Sequence, residues 1–164
     1  ILRHKRATSR LEDMGEGTTF HRILWDDAQI LPNEKIKLQK DDKIRRVVLC
    51  SGKVYYDLYE EREKRGIDDI YILRVEQLYP WPHRALAQEL SRFKKAEFIW
   101  CQEEPQNMGA WTFVQPGIER VLEFIKAKNT RPRYVGRAAY AATATGLMSR
   151  HLKELKMFLD EALS

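Results

Sequence analysis

Ser51-Gly52-Lys53 follows the apolar run Val47-Val48-Leu49-Cys50 and opens a stretch with helical patterning. A hydroxyl, a glycine and a lysine at a strand-to-helix turn are parts that hold an anion. The first helical N–H groups carry partial positive charge, the glycine lets the backbone approach closely, and the lysine is a point charge. Two other apolar runs end in polar tips, Arg74-Val75-Glu76-Gln77 and Cys101-Gln102-Glu103-Glu104. In an open parallel sheet, ligands collect at the carboxyl ends of strands. The three tips therefore define one candidate rim for a phosphate-bearing or nucleotide-like ligand, with Arg74 adding a two-pronged contact. A complete phosphate loop requires G-x-x-x-x-G-K-[ST], and only SGK is present. The alternative is a plain helix start, with Ser51 as its cap and Lys53 in solvent.

Other chemistry-bearing residues point less clearly to a reaction. Glu103 and Glu104 could act as acid and base if one had a raised pKa. Neighbours on an extended chain point to opposite sides, however, which favours capping, arginine pairing or a partner-facing role. Trp111 and Phe113 read as packing residues at a core or subunit interface. His83 sits at a helix start, His151 on the polar side of the last helix, and His4 and His21 lack a visible partner. No Ser-His-Asp or Cys-His arrangement follows from this spacing. Cys50 and Cys101 make neither a disulfide framework nor a zinc pattern, and read as small buried residues in a reducing compartment.

The elements that would position the rim alternate. Residues 1–44 read as a lead-in segment. It holds a capping box at Ser9-Arg-Leu-Glu12 for a short helix ended by Gly15 and Gly17, an edge strand over 19–25, and an exposed loop over 26–44 around Pro32 and Asn33. Residues 45–164 read as the α/β core of the same single domain. Its strands are 46–50, 70–74, 97–101 and 131–135, and its helices are 53–65, one following Pro82, 115–127 and 145–163. The last helix turns Leu147 or Met148, Leu152, Leu155, Leu159 and Leu163 inward. Strands alternating with helices of this length predict an α/β domain with a mainly parallel sheet.

Composition excludes some classes. Of 164 residues 43% are hydrophobic, enough for one core. The net charge of +5 is spread among acids, so the pattern is not that of a nucleic-acid binder. No apolar run is long enough to span a membrane, and the basic opening ILRHKRATSR lacks the apolar region of a secretory signal. That opening reads as a cut inside a longer chain, or as an arm whose Met was removed.

Four segments in this order, CSGKVYYDL, RVEQLYPWP, FIWCQEEPQNMGAW and YVGRAAYAATATG, resemble the E1 component of 2-oxoglutarate dehydrogenase. The resemblance runs from LRHKRATS to the last helix and concerns the C-terminal, transketolase-like domain of a longer subunit. It implies a three-layer fold, a mainly parallel five-stranded sheet with helices on both faces. It implies a complete enzyme that uses thiamine diphosphate and Mg²⁺ to decarboxylate 2-oxoglutarate, works as a homodimer, and passes the succinyl group to lipoamide on the E2 dihydrolipoyl succinyltransferase. The domain would support dimer assembly and the active-site entrance. In some members it carries an effector, acetyl-CoA or a nucleotide such as AMP. The matching effector positions are Ser51, Gly52, Lys53, Arg74 and Gln102, and the packing surface is Trp111, Phe113, Tyr55 and Tyr56. No GDG…N-type thiamine-diphosphate segment or Mg²⁺ ligand set is present, so these residues are expected to bind no cofactor and to be catalytically silent alone. Related readings are an E1 for 2-oxoadipate, a carboligating 2-oxoglutarate decarboxylase, and a freestanding nucleotide-binding or adaptor module. The expected location is a bacterial cytoplasm, with the mitochondrial matrix as the alternative.

Overall fold

The computed structural model describes residues 1, 3–31 and 35–164. Five strands form one sheet: β1 (Ile23–Leu24), β2 (Arg46–Cys50), β3 (Ile70–Val75), β4 (Glu97–Pro105) and β5 (Arg133–Arg137), in the order β1-β3-β2-β4-β5. β1 runs antiparallel to β3, and the other pairings are parallel. Helices α1 (Asp27–Ile30), α2 (Val54–Arg65), α3 (His83–Leu90), α4 (Trp111–Phe124) and α5 (Met148–Leu163) complete the regular structure. This is the α/β arrangement with a mainly parallel sheet expected from the alternation of elements, in the three layers implied by the resemblance.

β2 explains why the sheet is covered twice. Val47 and Leu49 enter one core, with α3 and α4 residues such as Leu86, Leu90, Ile118 and Val121. Val48 and Cys50 enter the other, with Tyr55, Leu58, Phe158, Leu159 and Leu163 of α2 and α5. A strand buried on both faces must be apolar at every position, which is why it reads as a continuous run. From β2 the chain winds through α2 to β3, then returns through α3 to β4 on the other side of β2. The winding direction therefore reverses between β2 and β4.

α2 ends at Gly66, whose φ of 66° gives the left-handed closure a side chain would disfavour. α4 ends similarly, but Lys126 takes the left-handed place at φ 55°, at a cost of about 1 kcal/mol relative to glycine.

The structure corrects several expected boundaries. The Ser9 capping box does not form: a 3-10 turn at Leu11–Met14 starts after Arg10, with no side-chain cap. Arg10 instead pairs with Asp13 at 2.9 Å, holding the turn from outside. The edge strand is two residues long rather than seven. The stretch 26–44 is not uniformly exposed. Asp26, Ile36 and Ile44 are buried, and Asp26 caps α1 by accepting from Ala28 N at 3.0 Å; Pro32 and Asn33 lie outside the described residues. α4 begins at Trp111, four residues before the expected start, with Pro116 inside it. β4 extends to Pro105, and β5 is shifted two residues along the chain. α5 starts at Met148. Its Leu147, Met148 and Leu152 are exposed, because the core stripe meets the sheet only from about Leu155 onward.

Asp26 and Arg62 join the lead-in segment to the core. Both side chains are fully buried. Arg62 Nη2 donates to Asp26 Oδ1 at 2.7 Å, Nη1 donates to Oδ2, and Ile72 N donates to Oδ2 at 2.8 Å. Burial alone would lower the guanidinium pKa, but Asp26 outweighs it and the net shift is upward. β1 and this buried pair make residues 23–26 part of the same folded unit as the core.

Candidate crevice at the carboxyl ends of the strands

Register puts the three polar tips together. Cys50 pairs with Arg74 on one side and Cys101 on the other, so β2, β3 and β4 end level on one rim. The winding reverses between β2 and β4, which is where an open α/β sheet leaves a crevice. A cavity of about 540 Å³ lies there, bordered by Ser51, Gly52, Lys53, Trp100, Glu103 and Phe113 among others. Gly52, at φ 72°, makes the turn into α2. No side chain caps that helix, so the capping alternative for Ser51 does not hold.

Lys53 is not a free cation. Its Nζ lies 2.5 Å from Asp57 Oδ2 and 3.4 Å from Glu103 Oε1. Partial burial works against its charge, yet the two carboxylates prevail and raise the ammonium pKa. An anion entering here must compete with both. Asp57 was missed by sequence reasoning, although its position four residues after Lys53 on a helix could have revealed the pairing.

Gln102 holds the loop rather than facing the cavity as a free amide. Its Oε1 accepts from Trp100 Nε1 at 2.9 Å and from Trp111 N at 3.0 Å. Its Nε2 donates to Met108 O at 2.7 Å and also to the carbonyls of Glu104 and Pro105. The polar Q-E-E-P segment stays in the sheet through a register shift against β5, between Cys101 and Pro105. Such a bulge re-aims side chains at a strand end.

Arg74 lies on the other side of the Gly52 turn. It stacks 4.1 Å from the Tyr55 ring centre and donates to Tyr56 OH at 3.1 Å. No carboxylate pairs with it among the described residues, and its Nε is enclosed without an acceptor. It borders a second cavity of about 360 Å³, with Gly52, Tyr56, Arg10 and Glu76. The expected effector residues therefore share one rim but fall into two compartments, with Gly52 in the wall of both.

Of the four aromatics assigned to a packing surface, Tyr55, Tyr56 and Trp111 are buried within the chain's own cores. Phe113 is 54% exposed and borders the crevice. Both cysteines are buried, and burial pushes both thiols upward, which suits inert packing residues. His4 stacks on Tyr56, His21 meets Trp25 edge-on, and His83 meets Phe124 edge-on. Among the described residues no cluster of three or more His, Cys, Asp or Glu is placed to hold a metal ion. No described helix is long and apolar enough to cross a membrane.

Comparison with known proteins gives consistent matches. Residues 8–163 match the family described as 2-oxoglutarate dehydrogenase C-terminal. Proteins named 2-oxoglutarate dehydrogenase E1 component from Brucella anthropi and Brucella ovis are 67% identical over 163 residues, and that of Brucella abortus is 66% identical. Each alignment covers 99% of this chain and 16% of the relative. The chain thus spans about one-sixth of the length of the curated relatives it matches.

Proposed function

This chain belongs to the 2-oxoglutarate dehydrogenase C-terminal family, and on that footing we propose that it serves as the C-terminal domain of a 2-oxoglutarate dehydrogenase E1 subunit. The observation that carries this reading is the 67% identity across 99% of the chain. In the whole protein, oxidative decarboxylation of 2-oxoglutarate would use thiamine diphosphate and Mg²⁺. The succinyl group would pass to lipoamide on the E2 succinyltransferase. The setting is a bacterial cytoplasm.

The residues here do not suit a diphosphate–Mg²⁺ group. The crevice has one lysine already held by two carboxylates, and no metal-binding cluster stands among the described residues. The cofactor would therefore sit elsewhere in the longer protein, and this domain would have a supporting role. It helps assemble the homodimer, with Phe113 as its exposed aromatic contact, and shapes the rim.

The rim also offers a seat for a phosphate-bearing effector such as acetyl-CoA or AMP. Arg74 would supply the charge, because no carboxylate among the described residues pairs with it. The backbone at Gly52 would supply N–H donors at the start of α2. Lys53 joins only if it leaves Asp57 and Glu103.

The test uses full-length protein with thiamine diphosphate and Mg²⁺. Release of CO₂ from 2-oxoglutarate is expected, and release from 2-oxoadipate alone would move the reading to the related E1. Calorimetric titration of acetyl-CoA and AMP should give heat that Arg74→Ala reduces more than Lys53→Ala. No heat from either ligand removes the effector while leaving the family role intact.

A further inference from the structure

α5 carries more apolar surface than the sheet covers. Met148, Leu152, Leu155 and Leu159 recur at helical spacing and form one stripe. The buried residues of the helix, Phe158, Leu159, Ala162 and Leu163, all lie toward its C-terminal end. Leu155 packs against the core from its margin. Leu152 is 55% exposed and Met148 71%, so the stripe that seals one core runs on into solvent.

The segment leading into α5 extends this surface. Residues 138–149, Ala-Ala-Tyr-Ala-Ala-Thr-Ala-Thr-Gly-Leu-Met-Ser, hold no charge in a chain that is 32% charged, and all but Thr145 are exposed. The start of the segment is fixed. Asn107 Oδ1 accepts from Tyr140 N and Asn107 Nδ2 donates to Tyr140 O, each at 3.0 Å. The Tyr140 ring in turn lies 5.1 Å from the Arg150 guanidinium on α5. A recess of about 100 Å³ between the segment and the helix is lined by Tyr140, Thr145, Glu154 and Met157 among others. Glu154, the one acid there, is paired with Arg150 at 2.9 Å and with Arg137 at 3.8 Å. Segment and helix thus present one continuous apolar face with a recess in it.

We infer that this face is covered, in the longer subunit proposed above and resting on that reading, by an apolar surface of the same polypeptide that precedes residue 1. Two observations favour this occupant. The alignments cover 16% of each relative, and the matched family is a C-terminal one. Most of such a subunit therefore lies outside these residues and is tethered to them, and tethering gives a surface an effective concentration that a free partner rarely reaches. The second is the missing charge. A separate protein that comes and goes is steered by charges, whereas permanent interfaces are apolar and resemble a divided core. A second copy of the chain is assigned above to Phe113, on α4, which packs on the opposite side of the sheet from α5.

The test uses the purified full-length subunit, hydrogen peroxide as the probe and peptide mass spectrometry, since thioether oxidation follows exposure. Met148 should oxidise at least about tenfold more slowly in the native subunit than in urea; left bare, at its 71% exposure, the two rates would agree within about twofold. Leu152→Asp should bring the native rate to within about twofold of the urea rate, while Lys153→Asp, on the polar side of α5, should leave it slow. Amine cross-linking of subunits reassembled from light and heavy isotope copies separates own chain from neighbour. Lys153 and Lys156 should join lysines outside these residues within one isotope only. A fast Met148 in the wild-type subunit overturns the assignment, whatever the variants do, and so do links from these lysines that pair light with heavy. Release of CO₂ from 2-oxoglutarate by the same preparation scores the family role separately, so a bare Met148 in an active subunit removes this contact alone.

Discussion

Replacing Asp26 with alanine strands the Arg62 guanidinium in a site where both side chains are fully buried. The substitution removes both guanidinium contacts, together with the acceptor for Ile72 N at 2.8 Å and for Ala28 N at 3.0 Å. Among the described residues Arg62 then keeps the Ile70 carbonyl at 2.9 Å and the Tyr59 ring beside it. Breaking one side of a buried pair costs about 3–5 kcal/mol, because an uncompensated charge remains. For a chain of this length that corresponds to a fall in melting temperature of about 6–20 °C. Arg62→Met should cost a similar amount, by leaving the carboxylate. The double variant Asp26→Leu/Arg62→Met removes both charges and should lose far less than the two singles combined. Urea titration followed by tryptophan emission measures all three, with equal slopes confirming a common unfolded state. If Asp26→Ala cost under about 1 kcal/mol, or the double variant equalled the sum of the singles, the pair would not be the buried clasp described.

Three further outcomes test other parts of the structure. Partial burial raises the Glu97 carboxyl, but Arg133 and Arg46 outweigh it and hold it below the ordinary range. A depressed native value adds stability above the unfolded pKa of roughly 4.3 and loses it as pH falls through the native one, so urea midpoints of wild type and Glu97→Gln should differ near neutrality and converge in acid. Gly117→Ala would place a methyl 2.7 Å from the Trp81 ring; displacing that indole should cost about 1–3 kcal/mol and shift its emission, and an unchanged spectrum would refute the contact. Iodoacetamide should label neither Cys50 nor Cys101 in native protein at neutral pH, since both thiols are buried and pushed upward. Prompt labelling of either would contradict their packing.

The sequence made the middle of the sheet legible because β2, β3 and the first half of β4 are buried on both faces, so their residue types announce them. Gly66 and the alternation of lengths made α2 equally plain. The failures lie where tertiary contacts override local pattern. Gln102–Pro105 is polar and looks like a loop, yet β5 and the Gln102 amide keep it in the sheet. Pro116 looks like a helix start, yet the Trp111 turn forms before it, held by Trp111 N to Gln102. Asp26 looks exposed in a W-D-D run and is enclosed, because its partner lies 36 residues away on α2. At the rim, strand order made Ser51, Gly52 and Arg74 neighbours as expected. The neutralisation of Lys53 and the division into two cavities depend on side-chain positions that spacing alone does not encode.

The seating of α5 has a consequence for how the chain is made. Phe158, Leu159, Ala162 and Leu163 close the face of the sheet that holds Val48, Cys50 and Ile99. Arg46 grips the carbonyls of Glu161, Ala162 and Ser164, up to 118 residues further on. During synthesis, β2, β3 and β4 leave the ribosome well before that cover does. At about 5–20 residues per second, the roughly sixty residues after β4 keep a sticky apolar surface bare for several seconds. Nascent chains of this domain should therefore depend on a holding chaperone until the final helix emerges, and a stop codon placed before α5 should send the product to inclusion bodies rather than to a weakened but soluble form.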